Sequence, residues 1–480
     1  MPVTAAYKRL VVALLTAAYT CNAMDRGVIS IIGQAMKVDL HLSDTQLGLL
    51  SGTAFALLYA FGGIPLARLA ERVNRVNIIT LALAVWSALS ALCGAASSFP
   101  QLLVIRVGVG VAEAGCSPPA HSLISDYFAP SQRASALSIY SCGISLGYLA
   151  AAVGGGYLAQ RWGWRTACAA VGVPGILIAV LIKYWVREPP RVTLSSAPSF
   201  SFGAEWRELR AVGRALLCDR PVLHMILGVT AGGFAAYGFY AFLPAYFSRA
   251  YGLGYGLTGV IAGLAGGVAV GLGILAGGFI ADGFAKRDLR WYAWVPGIGG
   301  VIATPLYWLA LLPADWRVAA GLLAAAGFFQ YASLGPTFGV VQNVVDRRRR
   351  ATATAFLYIC LNVFALGGGP LFTGWVIDRF ADADLVQPQT GTAMPFAAGA
   401  VFKTACPGGA AAAGANTASQ SICHAALVRA TRQGLEVTLL FFVWACAHYL
   451  LASLGLAKSL AAAALRSAAE FASSVQSDST

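Results

Sequence analysis

Ala67–Arg75 reads ARLAERVNR, and Gly278–Arg287 reads GFIADGFAKR. Each is a small residue, two variable positions, an alanine, an acid and then basic residues, with Glu71 matching Asp282. Each also follows an apolar run long enough to cross a bilayer. A second pair of stretches repeats the relation: QRASALSIY at Gln132–Tyr140 and RRATATAFLY at Arg349–Tyr358, with Arg133 matching Arg350. The same signals at corresponding points of two halves predict a duplicated helical bundle. Parallel repeats of this kind place a substrate near the membrane midplane, between the halves.

Composition agrees. The chain has 480 residues, of which 58% are hydrophobic and 11% charged, with mean hydropathy +0.69; soluble domains carry about 25% charged residues. Runs of about 20 apolar residues fall near 9–33, 46–67, 77–97, 101–127, 134–159, 165–187, 221–247, 256–281, 291–311, 317–343, 352–377 and 435–457. The expected fold is therefore an all-α membrane protein with twelve transmembrane helices in two six-helix bundles. The first bundle takes residues 1–187 and the second 221–480. Between them, 188–220 forms a cytoplasmic linker whose EWRELRAVGRALL predicts a short basic amphipathic helix on the membrane face. Residues 381–430, with the low-complexity PGGAAAAGANTASQS, form an external loop expected to stay mobile and to carry little function.

The net charge of +13 does not indicate nucleic acid, because the basic residues alternate by loop. Lys8 and Arg9 precede the first segment, and Arg68, Arg72 and Arg75 follow the second. Arg133 follows the fourth, Lys286, Arg287 and Arg290 the eighth, and Arg347–Arg350 the tenth. This is the positive-inside pattern, which predicts a multi-pass protein of the cell inner membrane with both termini cytoplasmic. The first apolar stretch contains Asp25 and Arg26 and reads as a retained span, not a cleaved signal.

Those two residues belong to a set. Asp25, Arg26, Arg106 and Glu113 all lie deep inside apolar segments, where a charge costs about 3 kcal/mol by insertion scales. At 1.5 Å per residue, Glu113 sits at the midplane, Asp25 and Arg26 roughly 6–8 Å outward and Arg106 roughly 12 Å outward. Arg106, Gly110, Glu113 and Ser117 share one helix face, as do Tyr19, Asn22 and Arg26, while Asp25 is turned about 100° from Arg26. Burial favours a protonated carboxyl and a neighbouring guanidinium favours the carboxylate, so a moving arginine switches proton uptake and release. A static salt-bridge cluster explains the set less well, since buried ion pairs stabilise poorly compared with apolar residues. The expectation is proton coupling through Asp25, Glu113, Arg26 and Arg106.

The second half supplies aromatic residues instead: Tyr237, Tyr240 and Phe242 in the seventh segment, and Phe328, Phe329, Gln330 and Tyr331 in the tenth. Any one of them taken alone reads as packing, as does His448, and His224 sits near the end of its segment. No nucleophile–base set, zinc-spaced His/Cys cluster or CxxC occurs. The glycine pattern from Gly108 to Glu113 lies inside a span with no preceding strand, which excludes a nucleotide loop. No enzyme, metal or cofactor is expected. Of the ten cysteines, Cys406 and Cys423 fall in the external loop. An oxidising exterior permits their pairing, and spacing alone leaves it open.

With the two loop copies, Arg106-x-Gly108-x-Gly110-x-Ala112-Glu113, the glycines Gly143, Gly147 and Gly154–Gly156, and WGWR at Trp162–Arg165, the chain resembles the major facilitator superfamily over nearly its whole length. Within it, NAMDR at Asn22–Arg26 and RVGVGVAEAGCSPPAHSLISDYF at Arg106–Phe128 look like the spinster branch in a bacterial form. Ala67 stands where the usual loop motif has glycine, and Glu71 where it has aspartate. The resemblance implies a secondary active transporter working by alternating access, a symporter or antiporter of protons, carrying a lysophospholipid or sphingolipid-like amphiphile as a monomer among membrane lipids. It implies that the first and fourth helices line the cavity. Charge on one wall and aromatic side chains on the other then suit an amphiphile held by Arg26, Tyr19, Asn22, Glu113, Ser117, Tyr237, Tyr240, Phe328, Gln330 and Tyr331. It also implies a cytoplasmic gate of Glu71, Arg72, Arg75, Asp126, Arg133, Asp282 and Arg287. Glycines Gly154–Gly156 and Gly367–Gly369 would serve as joints between rocking halves. Two rivals stand beside this reading: a small organic anion or drug as substrate, and a lipid-binding receptor without coupled transport.

Overall fold

The computed structural model describes residues 4–59, 62, 73–128, 130–189, 202–346, 349–386, 401–411 and 416–466. Among these residues every regular element is a helix, and ten helices are long and apolar enough to cross a membrane. Helix α1 (Ala5–Leu40) has 36 residues but is not among the ten, because Asn22, Asp25 and Arg26 interrupt its apolar middle. The short α2 (Asp44–Gly48) continues through a π-helical turn, Leu49–Thr53. Next come α3 (Arg75–Cys93), α4 (Phe99–Glu113) and α5 (Ser117–Tyr127).

The fourth segment is therefore not one smooth helix. Pro118 and Pro119 have no N–H to offer the carbonyls of Ala114 and Gly115. The chain tightens instead, with Gly115 and Cys116 donating to Ala112 and Glu113 at 3.1 Å. Glu113 is thus the last residue of α4, and the shared face predicted for Arg106 through Ser117 breaks one turn before Ser117. The tenth segment divides at a comparable point, between Tyr331 and Leu334.

Helices α6 (Pro130–Ala150), α7 (Gly156–Trp162) and α8 (Trp164–Trp185) complete the amino-terminal series, with a π-helical turn Ala151–Gly155 between α6 and α7. The linker forms α9 (Phe202–Cys218). The carboxy-terminal series is α10 (Arg220–Tyr251), α11 (Tyr255–Gly263), α12 (Val270–Ala285), α13 (Trp291–Ala310), α14 (Trp316–Tyr331), α15 (Leu334–Asn343), α16 (Arg350–Cys360), α17 (Gly367–Val386), α18 (Phe402–Ala405) and α19 (Thr417–Ser453). Further π-helical turns, Leu264–Ala269 and Leu361–Leu366, precede α12 and α17.

The chain packs as two compact units. The first takes Met1–Val192, Tyr237–Val268 and Leu366–Thr438. Its apolar core joins Leu15 of α1, Leu83 and Trp86 of α3, Val109 of α4 and Ile124 of α5. Two close approaches set the geometry of the site. A Cβ at Gly143 would come within 2.9 Å of the Thr16 carbonyl, and one at Gly147 would collide with Thr20, so α6 lies backbone to backbone on α1. Gly110 admits the Phe55 carbonyl at 2.7 Å from where its Cβ would stand.

The second unit takes Thr193–Ala236, Ala269–Ala365 and Leu439–Thr480. Val212 and Leu216 of the linker helix are buried in its core with Val222, Met225, Leu357 and Leu456. Val212 and Leu216 of α9 thus pack into protein, while Trp206 and Leu217 of the same helix stay exposed. Arg349 donates to Glu208 of that helix at 2.9 Å.

Of the stretch expected to be a mobile loop, 387–400 and 412–415 lie outside the described residues, and the remainder is largely helical. Helix α17 runs on to Val386 and α19 begins at Thr417, inside the predicted loop. Between them, residues 401–411 are closed onto α19 by a Cys406–Cys423 disulfide with Cα atoms 5.8 Å apart.

Candidate functional site

The four charges of the membrane interior, all in the first unit, resolve into two pairs. Arg106 of α4 donates to Asp25 Oδ2 at 2.7 Å, and the Ser90 hydroxyl of α3 donates to Asp25 Oδ1. Both partners are buried. One residue along α1, Arg26 Nε donates to Glu113 Oε2 at 2.9 Å, and Asn22 Nδ2 donates to the same oxygen at 2.8 Å. The 100° between successive residues explains the split: Asp25 and Arg26 face different sectors and find different partners on α4.

The pairs differ in their contact with solvent. Glu113 is wholly buried, whereas the Arg26 side chain is 29% exposed. Glu113 Oε1 is buried with no hydrogen-bond partner among the described residues. The Arg26 guanidinium lies 4.6 Å from the Phe55 ring centre and 4.4 Å from that of Tyr59, two cation–π contacts from the second segment. Phe55 reaches this place because Gly110 lets its backbone close on α4. Arg26 is thus held on one side by a carboxylate and on the other by aromatic faces.

The remaining predicted residues distribute as follows. Tyr19 stacks on Tyr140, with ring centres 4.5 Å apart, and Tyr140 donates to Ser117 Oγ at 3.3 Å. Asn22 is a partner of Glu113. Tyr237 and Tyr240 belong to the first unit, with Tyr237 40% exposed; Tyr240 lies beside Gly266, as does Tyr148 of α6. Phe242 is buried in packing. Phe328, Gln330 and Tyr331 belong to the second unit. There Phe328 meets Phe329 edge to face at 5.3 Å, and Gln330 is buried close to Gly232. His224 and His448 share a contact of 2.8 Å between their Nδ1 atoms.

Of the predicted gate, Glu71 and Arg72 lie outside the described residues. Of the other predicted gate residues, Arg75 is joined to Asp126 alone among the described residues. It contacts Asp126 Oδ2 at 2.6 Å and donates to Ser122 Oγ at 2.7 Å and to Glu188 Oε1 at 2.7 Å, and its backbone N–H donates to Glu188 Oε2 at 2.9 Å. Glu188 was not singled out in the sequence, where it reads as one more linker charge after the sixth segment. Arg133 Nε donates to the Phe128 carbonyl at 3.1 Å. Asp282 accepts from Tyr292 at 2.8 Å, and Arg287 is exposed.

The largest feature that sequence reading missed is a second ionic cluster in the first unit. Asp44 is bonded by Lys37 and by Arg249, the latter at 2.5 Å, and all three are buried. Lys37 and Asp44 read as ordinary charges flanking spans, and Arg249 as the end of another. The signal available was that Lys37 and Arg249 end their segments where Asp44 begins its own, so alternation of the spans puts all three on one side.

Comparison with known proteins gives concordant matches. The family model of the Major Facilitator Superfamily matches residues 15–369. An MFS-type efflux pump of Mycolicibacterium smegmatis is 33% identical over 386 residues, covering 80% of this chain and 87% of that protein. A hexuronate transporter of Bacillus subtilis is 27% identical over 383 residues, covering 77% and 88%. The crystal structure of a bacterial homologue of the human lysosomal transporter Spinster, inward-facing and unoccupied, has 32% sequence identity and a TM-score of 0.80, covering 95% of this chain and 99% of that one.

Proposed function

The chain belongs to the major facilitator superfamily and is a spinster-like transporter, not an enzyme; from that premise we propose that it carries a lysophospholipid or sphingolipid-like amphiphile by proton-coupled alternating access. The observation that carries the proposal is the Arg26–Glu113 pair. Glu113 gives one oxygen to two donors, and its other oxygen is buried with no hydrogen-bond partner among the described residues. A buried oxygen without a donor is costly for an ionised carboxylate, and protonation relieves that cost by removing the charge.

In this reading a proton on Glu113 releases Arg26, which is exposed enough to meet an anionic headgroup. The headgroup then competes with Glu113 for one guanidinium, and that competition couples cargo to protons. Asp25 and Arg106, bonded and dry, hold α1 against α4 and take the second place in proton handling. Tyr19, Asn22, Ser117, Tyr237 and Tyr240, all of the first unit, line the path of the apolar chain.

Residues 1–187 and 221–480 rock as six-helix halves about the linker 188–220. The Arg75 cluster belongs to the cytoplasmic gate, with both termini on that side of the inner membrane. A similar solved structure in an inward-facing state supports one limb of such a cycle. A second reading is favoured by the hexuronate transporter relative: Arg26 would then pair with the carboxylate of a small organic anion.

Reconstituted proteoliposomes separate these readings. Uptake of labelled lysophosphatidylethanolamine should rise at least tenfold under an imposed pH gradient. Uptake that ignores the gradient sinks the coupling, hexuronate uptake in place of lipid selects the second reading, and lipid binding without flux selects a receptor.

A further inference from the structure

Tyr7 of α1 accepts from the Arg187 N–H at 2.9 Å and donates to the Trp185 carbonyl at 3.0 Å, so the start of α1 lies by the Arg75 cluster. Lys37 is thirty residues along the same helix, roughly 45 Å away. At that far end, segments remote in sequence meet within the first unit. Arg249 of α10 donates from Nη2 to Asp44 Oδ1 at 2.5 Å, from Nε to Gln34 Oε1 at 2.8 Å and from Nη1 to Thr431 Oγ1 of α19 at 2.8 Å. Lys37 takes the other oxygen of Asp44.

Asp378 of α17 closes the cluster. Its carboxylate accepts from the backbone N–H groups of Asp44 at 2.9 Å and Thr45 at 2.8 Å, and from the Thr45 hydroxyl at 2.6 Å. The next N–H of α2, on Gln46, goes to Ser43 Oγ at 3.1 Å. The open donors that begin α2 are thus shared between its own capping box and a carboxylate from the other half of the sequence. Two acids and two bases balance.

The disulfide-closed stretch 401–411 lies over this knot. Gly408 sits where a Cβ would be 3.0 Å from the Val38 carbonyl, and Gly409 where one would be 3.8 Å from Lys37 Cε. Phe402 is buried, with its N–H donating to Asp382 Oδ1 at 2.7 Å, and Lys403 reaches Gln46 Oε1 at 3.1 Å. Cys406 and Cys423 are both buried.

We propose that the Lys37–Asp44–Arg249–Asp378 knot is the latch that holds this end of the first unit shut, and that the disulfide-clipped strap 401–411 keeps the knot dry and so sets how readily it opens. The inference rests on the alternating-access reading. An ion pair in water is worth little, and the same pair shielded from water is costly to break one partner at a time. Wetting the knot therefore undoes it. A strap that excludes water controls the latch without contacting cargo.

Hydrogen exchange read by mass spectrometry on the full chain in lipid nanodiscs tests this. Asp44→Asn and Arg249→Gln should speed exchange at least tenfold in residues 34–48 and 374–380 and leave 99–113 unchanged. Cys406→Ser with Cys423→Ser should give a change of a few fold in the same peptides. It alters no buried charge, so it serves if the charge variants fail to fold. Gly408→Ala, strained at its φ of +71° and crowded against Val38, should act like the cysteine pair. Unchanged exchange at 34–48 in a folded Asp44→Asn protein overturns the latch. Faster exchange confined to 401–411 in the cysteine variant overturns the strap's role. Opening is read without cargo or a proton gradient, so failure of lipid transport would leave this result standing.

Discussion

At the residue scale, the two interior pairs call for different chemistry from similar side chains. Asp25 accepts from Arg106 and Ser90 and is closed off from water. Removing only the cation leaves a buried charge without compensation. Arg106→Met is therefore expected to destabilise the protein by about 3–5 kcal/mol, read as a lower unfolding midpoint in detergent. Arg106→Met with Asp25→Leu should recover most of that loss. Glu113→Gln behaves otherwise, because Arg26 keeps its aromatic contacts and partial exposure. That variant should stay folded and bind cargo while losing gradient-driven uptake; full uptake would remove Glu113 from the proton path. The four charges could be picked out of the sequence because charge inside an apolar run is costly wherever it points. Their partners could not, since Ser90 lies 65 residues from Asp25 along the chain and nothing local marks it.

At the scale of elements, periodicity located the spans but not their interruptions or their true ends. The break after Glu113 follows from Pro118–Pro119 and was written in the sequence. Helix α19 was harder to read. Its first part, Thr417 onward, is rich in alanine, serine, glutamine and arginine, which resembles a disordered loop by polarity. Alanine is nonetheless the best helix former, and 37 residues span about 56 Å, well beyond the apolar core of a bilayer. A helix outside the membrane needs no apolar run, so hydropathy cannot see it. The approach of α6 to α1 makes a sharper prediction: Gly147→Leu forces a side chain onto Thr20 and Ala23. It should cost about 1–3 kcal/mol or more by overpacking, measured as loss of monodisperse protein and a lower midpoint.

At the scale of the whole molecule, the Cys406–Cys423 bridge closes a short loop, with a sequence separation of 17. Its removal is expected to cost about 3 kcal/mol, visible as a lower midpoint for the double serine variant against the oxidised wild type. The sequence by itself determined the membrane class, the duplicated helical plan and the charged positions of the interior. These follow from solvation and chain periodicity, which act on each segment independently. Only the tertiary structure decided which charge meets which. Arg249 and Asp44 are 205 residues apart, and Asp378 caps a helix that begins 334 residues before it. Such pairings depend on the three-dimensional approach of segments, and a one-dimensional pattern of apolar and polar residues carries no record of that approach.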